Sequence, residues 1–419
     1  QRQMCIRDRL YSAGFEVPSG LSAALTGTGE LILTESPSQL WGTGSLTNAT
    51  NTIRGQGTIS ISTLINQDLI RAEGGTLTYS GTHFDNSSGR VEIADGAILS
   101  LPSGKTIDGG TLHGETGSTL YGTGRLKNLE VTGTLTVPLD SVSDIELEGI
   151  IENNGTLTTE VSGLYSAGFE VPSGFATTLT GSGELVLTEI PAQLWGTGSL
   201  TNSTNLVRGR GIISIDTFTN LSELRAEGGT LRITSPSFSN DGLLTVAADA
   251  ELNMGASIAA PQTQNGTTVL NGVLSHDADL SWGDGRLEGN GIIESTNRDF
   301  SLGSATLAPG ESAGALSVQS DLEIDGALEI ELGGTVRGVS YDTIQTIGNV
   351  SLSGLLSISL IDGFENQISP TDTFVILTSG TDFTYFDTGS SIPGYSGSQG
   401  SISGAFLNAN PGTRVLTSD

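Results

Sequence analysis

Seventy residues of this chain occur twice. Tyr11–Ser80 and Tyr165–Thr234 align without a gap at an offset of 154, with 47 of 70 positions identical, and both copies open YSAGFEVPSG. A duplicated block of this length, cut by glycine into short runs, marks a stacked repeat fold in which each unit buries its apolar face only against its neighbours. The spacing of residues inside the block therefore carries the argument.

A smaller motif recurs there: Gly-x-Gly-x followed by Leu or Ile. It starts at Gly27, Gly42 and Gly55 in the first copy, at Gly181, Gly196 and Gly209 in the second, and at Gly122, Gly283 and Gly289 elsewhere. Glycine adopts positive φ at no steric cost, so the motif predicts tight corners. Between corners the runs alternate, as in Glu30–Leu33, Val91–Ile93, Thr134–Val137 and Ile145–Glu148. Period-2 runs bounded by Gly, Asn, Ser and Asp predict short strands. Aromatic residues are only 5% of the chain, and the apolar residues are mostly Leu, Ile and Val, so the interior should be narrow and aliphatic.

These features predict an all-β fold, a right-handed parallel β-helix (solenoid) with a β-rich C-terminal segment. Turns of roughly 20–25 residues, stacked about 4.8 Å apart, place about seven turns in one repeat interval. Leu, Ile and Val stack inside, and Ser, Thr and Asn form outward or corner ladders. A β-sandwich array needs larger units with aromatic anchors, and a propeller needs longer blades, so both fit less well. The predicted divisions are residues 1–9, 10–305 and 306–419, the last a continuation or cap of the coil. Residues 1–9, QRQMCIRDR, match nothing else in the chain, and MCIRDR resembles a translated sequencing-library adaptor, so this stretch is set aside as a scar. Gly389–Gly404 is rich in glycine and serine and is expected to be a loop.

With 46 acidic and 17 basic residues the net charge is −29, which opposes binding to nucleic-acid phosphates or to an anionic membrane surface. A single cysteine, Cys5, allows no internal disulfide, and no apolar stretch is long enough for a transmembrane helix.

Beyond the second copy, phrases appear in a fixed order: LAPGESAG at Leu307–Gly314, ELGG at Glu331–Gly334, YDTI at Tyr341–Ile344 and VSLSGL at Val350–Leu355. With the Gly/Asn/Thr-rich turns before them, these phrases make the chain resemble bacterial secreted repeat proteins of the autotransporter-passenger and adhesin type. The resemblance covers nearly all of Leu10–Asp419. It implies a secreted or cell-surface location, a structural or adhesive role, and cell-surface or matrix glycans or proteins as partners.

Candidate chemistry is sparse. Two acidic ladders, Asp144/Glu146/Glu148 and Asp321/Glu323/Asp325, place carboxylates at alternate strand positions, about 6.5–7 Å apart on one face. That separation suits an inverting glycosidase, and Asp321, Glu323 and Asp325 are also weak candidates for calcium, the one cofactor the ladders suggest. Strands that put aliphatics in and acids out generate such ladders by default, so no residue is assigned as catalytic or cofactor-binding. His83, His113 and His276 lack metal-ligand spacing and are expected at the surface or at corners. Trp41, Trp195 and Trp282 follow one motif position and are expected to fill equivalent slots. The leading expectation is a non-catalytic secreted or surface rod. The alternative is a polysaccharide-degrading β-helix enzyme, which would need several carboxylates and a Lys or Arg converging on one face; the only lysines are Lys105 and Lys127.

Overall fold

In the computed structural model, a strand winds, turns at a corner and returns one level up in parallel beside its own earlier course. The structure describes residues 14–417 except 35–37, 141, 161–164, 256–261, 278–279, 296–298, 353, 370–371, 381–382, 385–406 and 411–412. The stretch set aside as a scar and the expected Gly389–Gly404 loop lie outside the described residues. The fold is a parallel stacked β-solenoid of about 14 turns, 64% strand and 1% helix. The described helix is one 3-10 turn, Phe364–Asn366. The chain falls into two compact units, Gln1–Asp216 and Thr217–Asp419.

Within the first unit the partners are close in sequence. Thr52 stacks on Leu69 and Leu69 on Arg90, steps of 17 and 21 residues. Alternation decides what faces inward: Leu206–Asn220 and Ala192–Asn202 bury nearly every second residue. The buried positions of successive turns then stack in columns. Ile53, Ile70, Val91, Leu112 and Val131 form one column, each no more than 2% exposed. Each such side chain contributes about 1.5–3 kcal/mol on burial, so the narrow interior needs no large aromatic core.

The Gly-x-Gly units at Gly42, Gly55, Gly196 and Gly209 lie inside long strands that bend around the corners, and the register slips between Gly42 and Ser45 and between Gly55 and Gly57. The glycine requirement has two sources. Gly209 has φ 114°, and a Cβ there would lie 2.0 Å from the Leu187 carbonyl oxygen of the turn beneath. Its counterpart Gly55 faces Leu33 in the same way, at 1.9 Å. The motif therefore marks a close approach between stacked turns as well as a corner.

Asparagine forms the corner ladder of the two expected alternatives, and it does so buried rather than outward. Asn48, Asn66 and Asn86 are buried, and each stacks over the next: Asn48 Nδ2 donates to Asn66 Oδ1 at 2.8 Å, and Asn66 Nδ2 to Asn86 Oδ1 at 2.8 Å. The amides also satisfy backbone carbonyls at the corner, including Leu69 and Gly109. A primary amide carries a donor and an acceptor at opposite edges, so it alone can repeat at every level and also serve the corner backbone. In the second unit Asn220 donates to Asn240 at 2.8 Å, and Gln264 continues that column.

The second unit stacks likewise. Arg286–Gly289, Thr306–Pro309, Ala327–Leu332 and Leu355–Leu360 pair in parallel order, so stacking runs straight through the change of sequence texture near residue 306. Three C-terminal phrases meet at one carboxylate. Asp342 is 1% exposed, and its oxygens accept the backbone N–H groups of Gly314 and Glu331, both at 2.7 Å. LAPGESAG, ELGG and YDTI are thus the parts of a single buried clasp. Burial pushes the Asp342 carboxyl up to about 7, against the pull of the two N–H donors.

Two predictions come from these buried polar groups. Asn66→Ala should cost about 1–3 kcal/mol in denaturant unfolding; Asn66→Asp should cost more, because its charge would face the Asn86 side-chain oxygen and the Arg90 carbonyl. For Asp342 the folded pKa lies above the unfolded one. Its contribution is complete below the unfolded value and is lost as pH rises toward about 7. The stability difference between the parent and Asp342→Asn should therefore change across that window, in denaturant unfolding over a pH series on both proteins, by on the order of 4 kcal/mol at most.

Candidate functional site

The outward rows of the first unit carry charge, and the stacking register decides which charges meet. Arg54 lies over Arg71, a like-charge contact relieved by Glu73, which pairs with both. Arg71 also pairs with Glu92 and Glu115 at 2.6 Å each, and Arg208 pairs with Glu184 at 2.6 Å. Arginine is thus interleaved with the acid-out alternation at several levels, although some carboxylates still stack directly, as Glu130 does on Glu152.

The first acidic ladder lies in the strand Asp144–Asn153, and the structure gathers further groups around it. Arg125, one turn earlier, donates through Nε to Glu146 at 2.8 Å and through Nη1 to Glu148 at 2.9 Å. Lys127 reaches Glu148 at 3.3 Å. Glu170, one turn later, stacks directly on Glu146, and Trp195 stacks on Glu170. The Trp195 indole donates to Asp144 Oδ1 at 3.0 Å. The Arg125 guanidinium lies 4.2 Å from the centre of the Phe175 ring, a cation–π arrangement.

Environment separates the four carboxylates. Glu146 and Glu148 are ion-paired. Burial raises the pKa of Asp144, opposed by the Trp195 and Gly168 N–H donors. Burial also raises that of Glu170, reinforced by the anions of Glu146 and Asp144 and opposed by Arg125. Neighbouring carboxylates with different proton affinities beside an aromatic ring are the raw material of general acid–base chemistry on a sugar. Sequence reading found Asp144, Glu146 and Glu148 but missed Glu170, Arg125 and the Trp195 contact. Those residues lie 19 or more positions away from Asp144, and only the stacking register joins them.

The second ladder is not gathered in this way. Asp321 accepts the Asn349 backbone N–H at 2.7 Å and its side-chain amide at 3.1 Å, while Glu323 and Asp325 are exposed. Among the described residues no three His, Cys, Asp or Glu side chains come together as a metal-binding group. A shallow groove of about 460 Å³ in the second unit is lined by Asp241, Asn265, Asp284, Arg286 and Glu288. Arg286 is held there by Glu288 and Glu329.

Two other expectations change. His276 is not at the surface; it is 4% exposed, with its ring 5.5 Å from that of Phe300. The tryptophans do not share one slot. Trp41 and Trp195 are equivalent and outward, whereas Trp282 is 3% exposed and packs edge-on against Phe300 at 5.9 Å. Comparison with protein-family models, curated proteins and solved structures finds no match to the chain.

Arg125→Ala should lower the melting temperature of the first unit. Removing the cation raises the Glu170 pKa further, and a carboxyl raised in the folded state loses stability as pH climbs. The loss should accordingly be larger at about pH 8 than at about pH 5 in parallel thermal melts.

Proposed function

We propose that this protein is a non-catalytic β-helical scaffold, secreted or displayed on a bacterial surface, that serves adhesion or an extracellular matrix. The observation that carries this reading is the duplicated block, whose two copies repeat the same strands and the same stacking register. Duplicating turns extends a coil and multiplies its surface rows without adding any new chemistry. The cross-turn ion pairs and buried amide ladders serve the same end: they hold successive turns in register while leaving a hydrated, strongly acidic exterior. The order of the C-terminal phrases, which resembles that of secreted repeat proteins, supports the location. No part of the reading rests on calcium.

A second reading, a polysaccharide-degrading enzyme, is favoured by one observation. Asp144, Glu146 and Glu170 meet beside Arg125 and Trp195. Against it, Arg125 is committed to two carboxylates and the Asp144 oxygen to the indole, which leaves the groups paired with one another.

The two readings separate in one pair of assays. The purified protein is incubated with neutral and acidic polysaccharides and scored for new reducing ends or unsaturated products. The same chain is displayed on cells that lack adhesins, and their attachment to glycan- and protein-coated surfaces is measured. The scaffold reading expects no turnover and increased attachment that survives Asp144→Asn and Glu170→Gln. Turnover abolished by either substitution would replace it with the enzyme reading.

A further inference from the structure

The two copies of the block are nearly the same sequence but do not have the same surroundings. Phe15 and Phe169 are equivalent, in strands of the same register: Phe15 stacks on Leu40 as Phe169 stacks on Leu194. Phe169 is 0% exposed and Phe15 is 61% exposed. Leu21, Ile32 and Trp41 are likewise exposed, at 58%, 43% and 38%, while their counterparts Phe175, Val186 and Trp195 are at least partly covered. Phe15/Phe169 and Trp41/Trp195 are identical residues in equivalent strands, and what lies on their outer level differs.

On the second copy that level is the turn formed by Asp144–Asn153 and Thr156–Thr159. Ile145 covers Phe169, Ile151 covers Leu179 and Leu157 covers Leu185. Asp144 receives the Trp195 indole N–H at 3.0 Å. Asn153 and Asn205 lock reciprocally: Asn153 Nδ2 donates to Asn205 Oδ1 at 2.8 Å, and Asn205 Nδ2 donates to the Asn153 carbonyl at 2.9 Å. The first copy carries every receiving group of this interface: Phe15, Leu25, Leu31, Trp41, and Asn51 in the place of Asn205. Among the described residues, the strands Gly14–Glu16, Ser22–Leu25 and Glu30–Leu33 that present this face each pair only with the turn that follows. An apolar face bounded by an open strand edge is a ready site for strand addition.

We infer that the face formed by Phe15, Leu25, Leu31 and Trp41 is a docking surface for one further turn of the same coil, supplied in cis ahead of Tyr11. The occupant is an extended segment of the Asp144–Thr159 kind. It runs parallel to the first turn, with an apolar residue over Phe15, a carboxylate that takes the Trp41 indole N–H and an asparagine that pairs with Asn51. The duplicate interface inside the chain is the template for each of these contacts.

The test joins a copy of residues 138–164 to Tyr11, in place of residues 1–10, through the junction that precedes Tyr165. Trp195→Phe and Trp282→Phe leave Trp41 as the one indole, and a Trp41→Phe, Trp282→Phe chain supplies the Trp195 benchmark. The expected result is a blue shift of Trp41 emission and a fall in its acrylamide quenching to the Trp195 value. In the chain with all tryptophans intact, amide exchange in Ser22–Leu25 and Glu30–Leu33 should slow when the segment is added. Unchanged quenching and exchange would overturn the inference, as would equal protection by a scrambled segment. It would also fail if Trp41 of the unextended chain became protected with rising concentration as a dimer formed, because a second copy would then be the occupant.

Discussion

Everything in this molecule depends on the parallel backbone ladder between successive turns. Its hydrogen bonds hold neighbouring levels about 4.8 Å apart, and each side chain must then sit over whatever occupies the same position one turn away. Aliphatic residues tolerate this and gain by it, as the column from Ile53 to Val131 shows. Buried polar residues tolerate it when each finds a hydrogen-bond partner, and an amide can find one in the same amide one turn away. That is why the buried corner rows are asparagine: the amide donates upward and accepts from below, and its second proton goes to a corner carbonyl. Where a carbonyl of the lower turn comes closer than a Cβ allows, as beneath Gly55 and Gly209, only glycine remains.

The same constraint organises the surface. Stacked carboxylates repel one another across a single strand spacing, so an acidic exterior on a solenoid needs cations at intervals. The arginines supply them by bridging several levels each, as Arg71 does for Glu73, Glu92 and Glu115. Exposed ion pairs of this kind add little stability individually. Their effect here is on register, since a slip of one residue would turn the whole charged row inward. The Asp144–Glu170 cluster is the place where this balance is tightest, with two of its carboxylates shifted toward protonation by burial. It supports a structural account of the charges and leaves a defined place to look for chemistry.

Some of this was legible in the sequence and some was not. Alternation in Glu30–Leu33 and Val91–Ile93 depends on neighbours two residues apart, so strand and burial pattern could be read directly. The Gly-x-Gly corners were legible too, because positive φ is a local demand. The inward turn of Asn66, the difference between Trp195 and Trp282, and the company Asp144 keeps were not. Each depends on which residue lies one turn away, and the steps vary from 17 residues at Thr52–Leu69 to 33 at Ile344–Leu377. Asp342 is the sharpest case. Three C-terminal phrases stood out as ordered text, but their common purpose is a single carboxylate receiving two N–H groups.

The sequence by itself determined that the chain is β throughout, that its turns stack, and that its two 70-residue copies adopt the same strands, because local pattern and repetition act at short range. The tertiary structure alone decided what each repeated residue does. Phe15 and Phe169 are the same letter in the same strand, and one is exposed while the other is buried, because burial belongs to the neighbouring turn and not to the residue. For the same reason Glu170 meets Glu146, and Trp195 finds a partner in Asp144: stacking brings together residues that the variable length of each turn keeps out of any fixed spacing.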